Sequence, residues 1–285
     1  MRYHVNGALV DAADATVSVR DRGFQYGDAA FETMRAYGGQ TFAWTAHYRR
    51  LQATCDSLGI DHDLSEAALR GRVHETLAAN DLADAYVRLS ITRGVQDGRL
   101  TPRDTTDPTV VVVVDALPRG GVDGDPVWSM PATVETTTIT QHRDTTIPST
   151  AKTHNYLPGV LARRDIAADA DEALFVTPDG HLTEGAASNL FFVADGTLYT
   201  PSGDLDVLPG ITRWAVAELA AEHGLTVHTG AYTPSRLYDA DEAFLTNTTW
   251  EVRPIARVDD ATYDTCRIGA ALASAYNAEI ERRHY

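Results

Sequence analysis

The chain contains one lysine, Lys152, among its 285 residues, and its other 23 basic residues are arginines. Lysine and arginine both carry positive charge, but only lysine has a primary amine that can lose its proton near neutral pH and attack a carbonyl group. The alternative interpretation is a surface lysine that happens to remain in a lysine-poor chain. The sequence around Lys152 and the segments that follow it favour amine chemistry.

An amine that forms an imine needs an aldehyde partner, and pyridoxal phosphate is the common one. This cofactor requires a phosphate cradle and a carboxylate for its ring nitrogen. The segment LPGITR, residues 208–213, places Gly210 at the start of a predicted helix, where backbone N–H groups and the helix dipole favour a phosphate. The segment TEGAASNLFF, residues 183–192, places Glu184 before small residues that allow a flat ring to approach. A plain helix start and a solvated turn glutamate are the ordinary alternatives.

Motifs for several other chemistries are missing from the sequence. It contains no GxGxxG after a strand, no P-loop, no nucleophile-elbow serine and no His/Cys cluster with metal-ligand spacing. We therefore expect no metal site. The scattered histidines, such as His47 and His154, are interpreted as structural or solvent-facing.

The net charge of the chain indicates which classes of partner it can bind. Forty acidic residues against 24 basic ones give a formal charge of −16, and the acidic residues are spread along the chain. This pattern favours a halophilic cytoplasm, with an ordinary acidic protein as the alternative. Nucleic acid and anionic membranes would be repelled, so we expect a small-molecule substrate. No signal peptide or membrane-spanning run is present, which predicts a cytoplasmic protein.

The positions of these residues depend on an alternation of predicted strands and helices. The spacing of apolar residues predicts helices over 45–60 and 64–80, the second capped by Ser65, and strands over 85–94 and 109–117, the latter buried on both faces. The Pro- and Gly-rich segment 118–126 is interpreted as a linker between an N-terminal α/β domain, 1–117, and a C-terminal cofactor-binding domain, 127–285. Beyond it, the patterns predict helices in LPGVLARRDIAA, ITRWAVAELAAEHG and at the C-terminus, and strands in EALFV, HLTEG, NLFFV, TLYTP, EAFLTNT and EVRPIARV.

Seven segments, taken in order, resemble the class IV aminotransferases, the fold-type IV pyridoxal phosphate enzymes. They are DRGFQYGDAAFETMRAY (21–37), HYRRL (47–51), ITRG (91–94), AKTHNYL (151–157), TEGAASNLFF, LPGITR and TNTTWEVRPI (246–255). The match spans almost the whole chain. It implies a two-domain α/β fold, with a smaller N-terminal and a larger C-terminal domain, and a homodimer.

The resemblance also implies a role for each matching residue. Lys152 would bind the cofactor through its amine and move the proton of the substrate, and Glu184 would pair with the pyridine nitrogen. The other expected cofactor contacts are Arg50 (with Arg49 as its competitor), Ile211, Thr212 and Thr248 at the phosphate, Tyr156 at the phenolic oxygen and Leu208 on the ring face. Tyr26, Phe31 and Thr33 are expected to line the substrate pocket from one shared strand. Arg93, with its neighbours Arg88 and Arg99, is expected to bind a substrate carboxylate. Thr249 is a further expected substrate contact.

Two reactions of this family remain open. Both act on an amino-carboxylate through an external aldimine. The motif FETMRAY has Thr33 where branched-chain aminotransferases usually have glycine, and together with TRG it is closer to 4-amino-4-deoxychorismate lyase, which releases 4-aminobenzoate and pyruvate. The alternative is a transaminase for D-amino or branched-chain amino acids that uses 2-oxoglutarate or pyruvate. A noncatalytic metabolite binder is a distant third hypothesis.

Overall fold

The computed structural model describes residues 1–103, 107–117, 128–141 and 147–285. The chain divides into two compact units. The first comprises Met1–Pro118, Ala151–Asn155 and His284–Tyr285, and the second comprises Arg119–Thr150 and Tyr156–Arg283. The segment that carries Lys152 therefore packs with the first unit, although it follows the expected linker in sequence. That linker, 118–126, lies outside the described residues, and the domain boundary based on it remains a prediction.

The first unit is built on an antiparallel sheet. Its strands are β1 (Arg2–Val5), β2 (Ala8–Asp11), β3 (Ala29–Tyr37), β4 (Gln40–Thr41), β5 (Ala85–Thr92) and β6 (Val110–Ala116). Their order across the sheet is β2-β1-β6-β5-β3-β4. The helices are α1 (Arg22–Tyr26), α2 (Trp44–Leu58) and α3 (Glu66–Ala79). Both long predicted helices are present, and the Ser65 hydroxyl caps α3 by accepting the N–H of Ala68 at 3.2 Å.

Helices α2 and α3 contribute to a single apolar core with strands β3, β5 and β6. Leu51 and Cys55 of α2 and Leu69, Val73 and Leu77 of α3 belong to the same buried cluster as the core-facing residues of the strands. In β6, Val110, Val112 and Val114 are buried, but Val111 and Val113 are only half-buried. The prediction that this strand is buried on both faces was therefore wrong. In a strand, every second side chain faces the core, so a run of valines does not by itself show that the intervening side chains are buried too.

The second unit contains a mixed sheet and a set of helices. Its strands are β7 (Ala132–Thr136), β8 (Glu172–Val176), β9 (Leu182–Gly185), β10 (Asn189–Ala194), β11 (Thr197–Pro201), β12 (Val227–Gly230), β13 (Glu242–Asn247), β14 (Glu251–Val258) and β15 (Ala261–Thr262). The order is β12-β11-β10-β13-β14-β7-β8-β9, with β15 paired to β14. Pairs β11/β12, β14/β7 and β7/β8 are parallel, and the others are antiparallel. Helices α4 (Leu157–Asp165), α5 (Ile211–Glu222), α6 (Pro234–Tyr238) and α7 (Arg267–His284) complete the unit.

The central strands of the second sheet are fully apolar where they cross the core. Every residue of β10 is buried, and Phe191 stacks on Phe244 of β13 at 5.1 Å between ring centroids. The polar residues Asn189 and Asn247 lie at the two adjacent ends of this antiparallel pair, β10 and β13. Polar side chains at that edge of the sheet are therefore positioned by strands that are anchored in the core. Within the described ranges, no helix combines the length and apolar character needed to cross a bilayer.

Candidate active site

Lys152 lies in a short segment that pairs with the start of β3. The N–H of Phe31 donates to the carbonyl of Lys152 at 3.0 Å, and the N–H of His154 donates to the carbonyl of Ala29 at 3.0 Å. The N–H of Lys152 itself donates to the Thr54 hydroxyl of α2 at 3.0 Å. The backbone of the lysine is thus fixed on both sides, and its Nζ lies 4.5 Å from the centroid of the Phe31 ring.

The Phe31 ring also contacts a guanidinium group. The Cζ atom of Arg88 lies 3.8 Å from the same ring centroid, a cation–π contact. Arg88 is on β5 directly opposite Thr33 of β3, so the Thr33 hydroxyl and the Arg88 side chain project from the same face of the sheet. The first unit therefore groups Lys152, Phe31, Thr33 and Arg88.

His154, two residues beyond Lys152, borders this group. Its ring meets Phe31 edge-on at 5.5 Å, and its Nε2 lies 3.2 Å from the Ser90 hydroxyl. Burial, and then the charge of Arg88, lower the pKa of His154 to about 4. The imidazole is therefore neutral at pH 7, and it acts as a hydrogen-bonding wall of the group and not as a cation.

Arg50 is fixed by a buried carboxylate. Its Nε and Nη2 donate to the two oxygens of Glu32 at 2.7 and 2.6 Å, and His47 Nδ1 lies 2.7 Å from the same carboxylate. Burial alone would raise the pKa of Glu32, but the Arg50 charge and the hydrogen bonds from Arg50 and His47 outweigh it and lower the pKa to about 2. Desolvation lowers the pKa of His47, although the Glu32 carboxylate opposes this shift. Arg49, the competing candidate, is solvent-exposed.

Arg93 occupies a different environment from the one expected for a substrate contact. It is 7% exposed, and its Nε donates to Asp28 Oδ2 at 2.8 Å. Its Nη1 and Nη2 donate to the carbonyls of Gly59 and Leu58 at 2.7 and 2.5 Å, where α2 ends. These contacts use all three nitrogens of the guanidinium, and two of them hold the end of α2. The preference for Arg93 over Arg88 as the carboxylate-binding residue is therefore not supported by the geometry.

Tyr26 does not share a strand with Phe31 and Thr33, so that part of the expectation was wrong. It is the last residue of α1 and is 39% exposed, with the Arg22 guanidinium 4.9 Å from its ring centroid. The Asp21 carboxylate caps this helix by accepting the N–H of Gly23 at 2.7 Å. Gly27 ends it in the left-handed region, with φ of 68°, before β3 begins.

Glu184, near the end of β9 in the second unit, accepts hydrogen bonds from three neutral groups and interacts electrostatically with Arg213. Gln141 Nε2 donates to Oε1 at 2.9 Å, and Asn189 Nδ2 and the Leu208 N–H donate to Oε2 at 2.9 and 3.0 Å. The Thr183 hydroxyl in turn donates to the Gln141 side-chain oxygen at 3.0 Å. These three hydrogen bonds orient the carboxylate.

The LPGITR segment forms the start of α5 as predicted. Gly210 is the N-cap residue, Ile211 is the first helical residue and Thr212 is buried. No side chain of the described residues caps this helix. A Cβ on Gly210 would lie 1.9 Å from the Asn189 side-chain oxygen, so only glycine fits there. The segment therefore presents the first-turn amides of α5 beside the Leu208 backbone that contacts Glu184.

The TNTT loop joins β13 to β14 at the same edge of the second sheet. The Asn247 side-chain oxygen accepts the N–H groups of Thr249 and Trp250 at 3.0 and 2.6 Å, and the Thr249 hydroxyl at 3.1 Å. The Asn247 amide donates to the carbonyl of Ala187 at 3.2 Å, three residues beyond Glu184. Thr248 and Thr249 are half-buried in this loop. Tyr156, at the N-cap of α4, is 36% exposed.

Several residues that shape these groups were not identified from the sequence. Glu32, Gln141 and Asn189 had no assigned role, and His47 was interpreted only as structural. The spacing of His47 and Arg50, three residues apart on one helix, places them on one face and was a usable signal for a shared partner. Gln141 lies in a Thr-rich segment with no such pattern, and its contact with Glu184 spans 43 residues.

Comparison with known proteins identifies the family of the chain. The family model "Amino-transferase class IV" matches residues 29–258. A putative branched-chain-amino-acid aminotransferase of Methanocaldococcus jannaschii is 38% identical over 274 residues, covering 94% of this chain and 92% of that protein. The aminodeoxychorismate lyase of Bacillus subtilis is 34% identical over 284 residues, covering 98% and 94%.

A solved structure has the same fold along nearly the whole chain. The branched-chain aminotransferase of Thermoproteus uzoniensis, determined with norvaline, superposes with a TM-score of 0.91 at 27% identity, covering 98% of this chain and 94% of that one. The fold, the motifs and these matches agree on one family. The chain therefore belongs to the class IV aminotransferases, a family of pyridoxal phosphate-dependent enzymes.

Proposed function

We propose that this class IV enzyme is a 4-amino-4-deoxychorismate lyase, which converts its substrate to 4-aminobenzoate and pyruvate. The observation that carries the proposal is the group of Lys152, Phe31, Thr33 and Arg88 in the first unit. It combines an amine, an aromatic ring, a hydroxyl and a guanidinium on one face. A substrate that carries an unsaturated ring, an amine and carboxylates has a matching partner for each of these groups.

The donor sets in the second unit fit pyridoxal phosphate. Glu184, oriented by three hydrogen bonds, would supply the carboxylate that a protonated pyridine nitrogen requires. Gly210 leaves the first turn of α5 open to a phosphate, and the fixed TNTT loop adds the hydroxyl of Thr248. When bound, the cofactor supplies an electron sink for the substrate carbanion.

The remaining cofactor contacts follow from the same fit. We assign Ile211 and Thr212 to the phosphate through backbone amides, with Arg50 supplying charge from its Glu32 clamp. Leu208 packs on the ring face. Tyr156 contacts the phenolic oxygen of the cofactor.

Lys152 supplies the amine that carries the cofactor and moves the proton at the reacting carbon. Its backbone, anchored to Phe31 and Thr54, limits the movement of Nζ to the side-chain torsions. We assign a substrate carboxylate to Arg88. Thr249 remains a proposed substrate contact, although its N–H and hydroxyl both donate to Asn247 in this structure. Arg93 is assigned the structural role of holding α2.

The Thr33 hydroxyl is the feature that favours the lyase. In the reaction, the bond between the ring and the enol oxygen of the three-carbon side chain breaks. The ring loses a proton as it becomes aromatic, and the departing side chain gains one as it becomes pyruvate. A hydroxyl opposite Arg88 can hydrogen-bond the departing oxygen, whereas glycine at this position gives an open apolar wall.

A second candidate is an amino-acid transaminase. It is favoured by the 38% identity to a putative branched-chain-amino-acid aminotransferase and by the fold of the Thermoproteus uzoniensis enzyme. The half-buried Thr33 and the aromatic ring of Phe31 would then border an aliphatic substrate side chain. This reaction needs a keto acid as amino acceptor, which the lyase does not.

Product analysis separates the two. The purified protein, loaded with pyridoxal phosphate in high salt, is incubated with 4-amino-4-deoxychorismate, and separately with D-alanine or L-leucine plus 2-oxoglutarate. Mass spectrometry should detect 4-aminobenzoate and pyruvate without an added keto acid. Formation of a new keto acid that requires 2-oxoglutarate, with no 4-aminobenzoate, would establish the transaminase instead.

A matched pair of variants tests Thr33. Thr33→Ser keeps the hydroxyl, and Thr33→Val keeps the volume without it. We expect Thr33→Ser to retain lyase turnover within about 10-fold and Thr33→Val to lose about 10²-fold or more, the range for general acid–base groups. Equal turnover of the two variants would assign Thr33 to packing alone.

We also propose a homodimer. Segments 19–24 and 95–100 are joined by the Asp21/Val95 bridge and by Arg22, which donates to the carbonyl of Leu100 at 2.9 Å. They carry exposed apolar side chains, among them Phe24 at 73% and Leu100 at 78% exposure. Light scattering in high salt should give twice the chain mass, and Phe24→Asp should shift it toward the monomer.

A further inference from the structure

Asn189, at the first position of β10, contacts both groups of the second unit to which the cofactor has been assigned. It is 5% exposed and lies beside Glu184 and the start of α5. We infer that Asn189 is a positioning residue that sets the distance between the carboxylate for the ring nitrogen and the amides for the phosphate. This inference rests on the proposed roles of Glu184 and α5.

Both hydrogens of the Asn189 amide group are used for this link. Nδ2 donates to Glu184 Oε2 at 2.9 Å and to the carbonyl of Leu208 at 3.1 Å. The N–H of Leu208 donates to the same Glu184 oxygen at 3.0 Å. The three residues form a closed ring of hydrogen bonds, so the carboxylate cannot rotate without moving the backbone that leads into α5.

The amide oxygen of Asn189 contacts the other side of the same loop. A Cβ on Gly210 would lie 1.9 Å from it. The φ of Gly210 is −63°, a value that alanine adopts without strain, so the Asn189 oxygen is the obstacle and not the backbone conformation. The loop therefore approaches Asn189 as closely as a glycine permits, immediately before the first turn of α5.

Asn189 is itself held by the sheet. It pairs with Thr246 of β13 in the antiparallel register, and the next residue of β13, Asn247, orders the TNTT loop. The following residues of β10 are buried in the core. A side chain anchored in this way transmits the rigidity of the sheet to the two loops that it contacts.

The chemistry of an amide suits this position. Aspartate would keep the shape but place a second negative charge against Glu184 and lose both donors. A cationic side chain would form an ion pair that competes with the protonated ring nitrogen for Glu184. Asparagine orients the carboxylate without neutralising it.

Cofactor affinity and spectrum test the inference independently of the reaction catalysed. The cofactor-free protein is titrated with pyridoxal phosphate by fluorescence, and the visible absorption of the loaded protein is followed against pH. We expect Asn189→Ala to weaken pyridoxal phosphate binding about 10- to 100-fold, the effect of losing one or two hydrogen bonds to a charged group. We also expect a shift in the pH at which the visible absorption of the loaded protein changes.

A control separates positioning from general destabilisation. The Tyr263 hydroxyl, buried in the same unit, donates to the carbonyl of Leu237 at 2.7 Å and touches none of these residues. Tyr263→Phe should lower thermal stability without changing pyridoxal phosphate affinity or the spectrum. If Asn189→Ala behaves like Tyr263→Phe in all three measurements, Asn189 is merely structural and the inference is overturned.

The contact with Gly210 provides a second test, a double-mutant cycle. Gly210→Ala alone should weaken pyridoxal phosphate binding at least 10-fold because the new methyl group displaces Asn189 or the loop. In the Asn189→Ala background the added cost should largely vanish. Fully additive effects would contradict the proposed coupling.

Glu184→Gln distinguishes failure of this inference from failure of the site assignment. If Glu184→Gln changes the spectrum and Asn189→Ala does not, only the positioning role is wrong. If Glu184→Gln leaves both affinity and spectrum unchanged, the assignment of Glu184 itself fails, and the role of Asn189 fails with it.

Discussion

Glu32 and Glu184 are two carboxylates of one chain that accept hydrogen bonds from different kinds of donor. Glu32 is 1% exposed and accepts two hydrogen bonds from the Arg50 guanidinium, in addition to a contact with His47. Glu184 is partly buried and accepts hydrogen bonds from two side-chain amides and a backbone N–H. The Arg50 guanidinium forms a bidentate ion pair with the first carboxylate, whereas these hydrogen bonds to the second come from neutral groups, and the charge of Arg213 also interacts with it.

This contrast accounts for the two roles. A carboxylate already paired with arginine has little to offer a further cation, so Glu32 serves to orient Arg50. A carboxylate oriented by amides fits the role proposed for Glu184, in which it would pair with the pyridine nitrogen. Residue type alone does not assign the role, because both residues are glutamates on strands of a sheet.

The largest effect is expected on the unfolding free energy when Glu32, the structural carboxylate, is replaced. Glu32→Gln leaves the buried Arg50 charge without its carboxylate, and breaking such a pair costs about 3–5 kcal/mol of unfolding free energy. Denaturant unfolding in high salt measures it. A loss below about 1 kcal/mol would show that water or another group already compensates Arg50.

The same carboxylate sets a pH dependence. The pKa of Glu32 is lowered to about 2 from an ordinary value of 4.5, so its contribution to stability is fully present above pH 4.5 and is lost as the pH falls toward 2. Acid unfolding of Glu32→Gln should therefore be less steep in that range than acid unfolding of the wild type. Parallel curves would contradict the ion pair.

Replacement of Glu184 should instead affect turnover more than stability. Glu184→Gln keeps the volume and loses the charge, so we expect unfolding free energy to change by less than about 1 kcal/mol while turnover falls about 10²- to 10³-fold. Steady-state kinetics and thermal unfolding of the loaded protein measure the two quantities. Unchanged turnover would mean that the ring nitrogen is handled by another group.

Arg88 of β5 and Arg93, the residue after β5, differ in the same way, one with a proposed role in binding and the other with a structural role. Arg88→Leu should raise the KM for the substrate about 10- to 100-fold, because a charge-assisted hydrogen bond to a carboxylate is lost, with little change in stability. Arg93→Leu removes the donors to the end of α2 and should lower stability instead. A KM effect confined to Arg93→Leu would restore the assignment made from the sequence.

The smallest expected effect concerns His154. Burial lowers its pKa to about 4, so the unfolded chain binds a proton more readily and stability falls as the pH drops from about 6.5 toward 4. His154→Gln should remove part of this slope, amounting to roughly 1–2 kcal/mol, less than the full shift implies because the ring is partly exposed. Unfolding free energies measured at pH 4.5 and 7 in both proteins test it.

The sequence determined the elements that depend on local patterns. The bounds of β11 and β14 match the predicted TLYTP and EVRPIARV, because each has turn signals on both sides. The single lysine, the helix start at Gly210 and the order of the motifs were sufficient for the family and its cofactor. These signals are readable because they occupy contiguous residues.

The tertiary structure decided which side chains meet. Gln141 reaches Glu184 across 43 residues, and Arg93 reaches the end of α2 across 34 and 35 residues. A linear pattern carries no signal for such pairs, because chain separation does not report distance in the fold. In the sequence, one arginine also looks like any other arginine, and one glutamate looks like any other glutamate. The packing therefore showed which neighbours Arg93 and Glu32 have, whereas the role proposed for Glu184 had already been predicted from its motif.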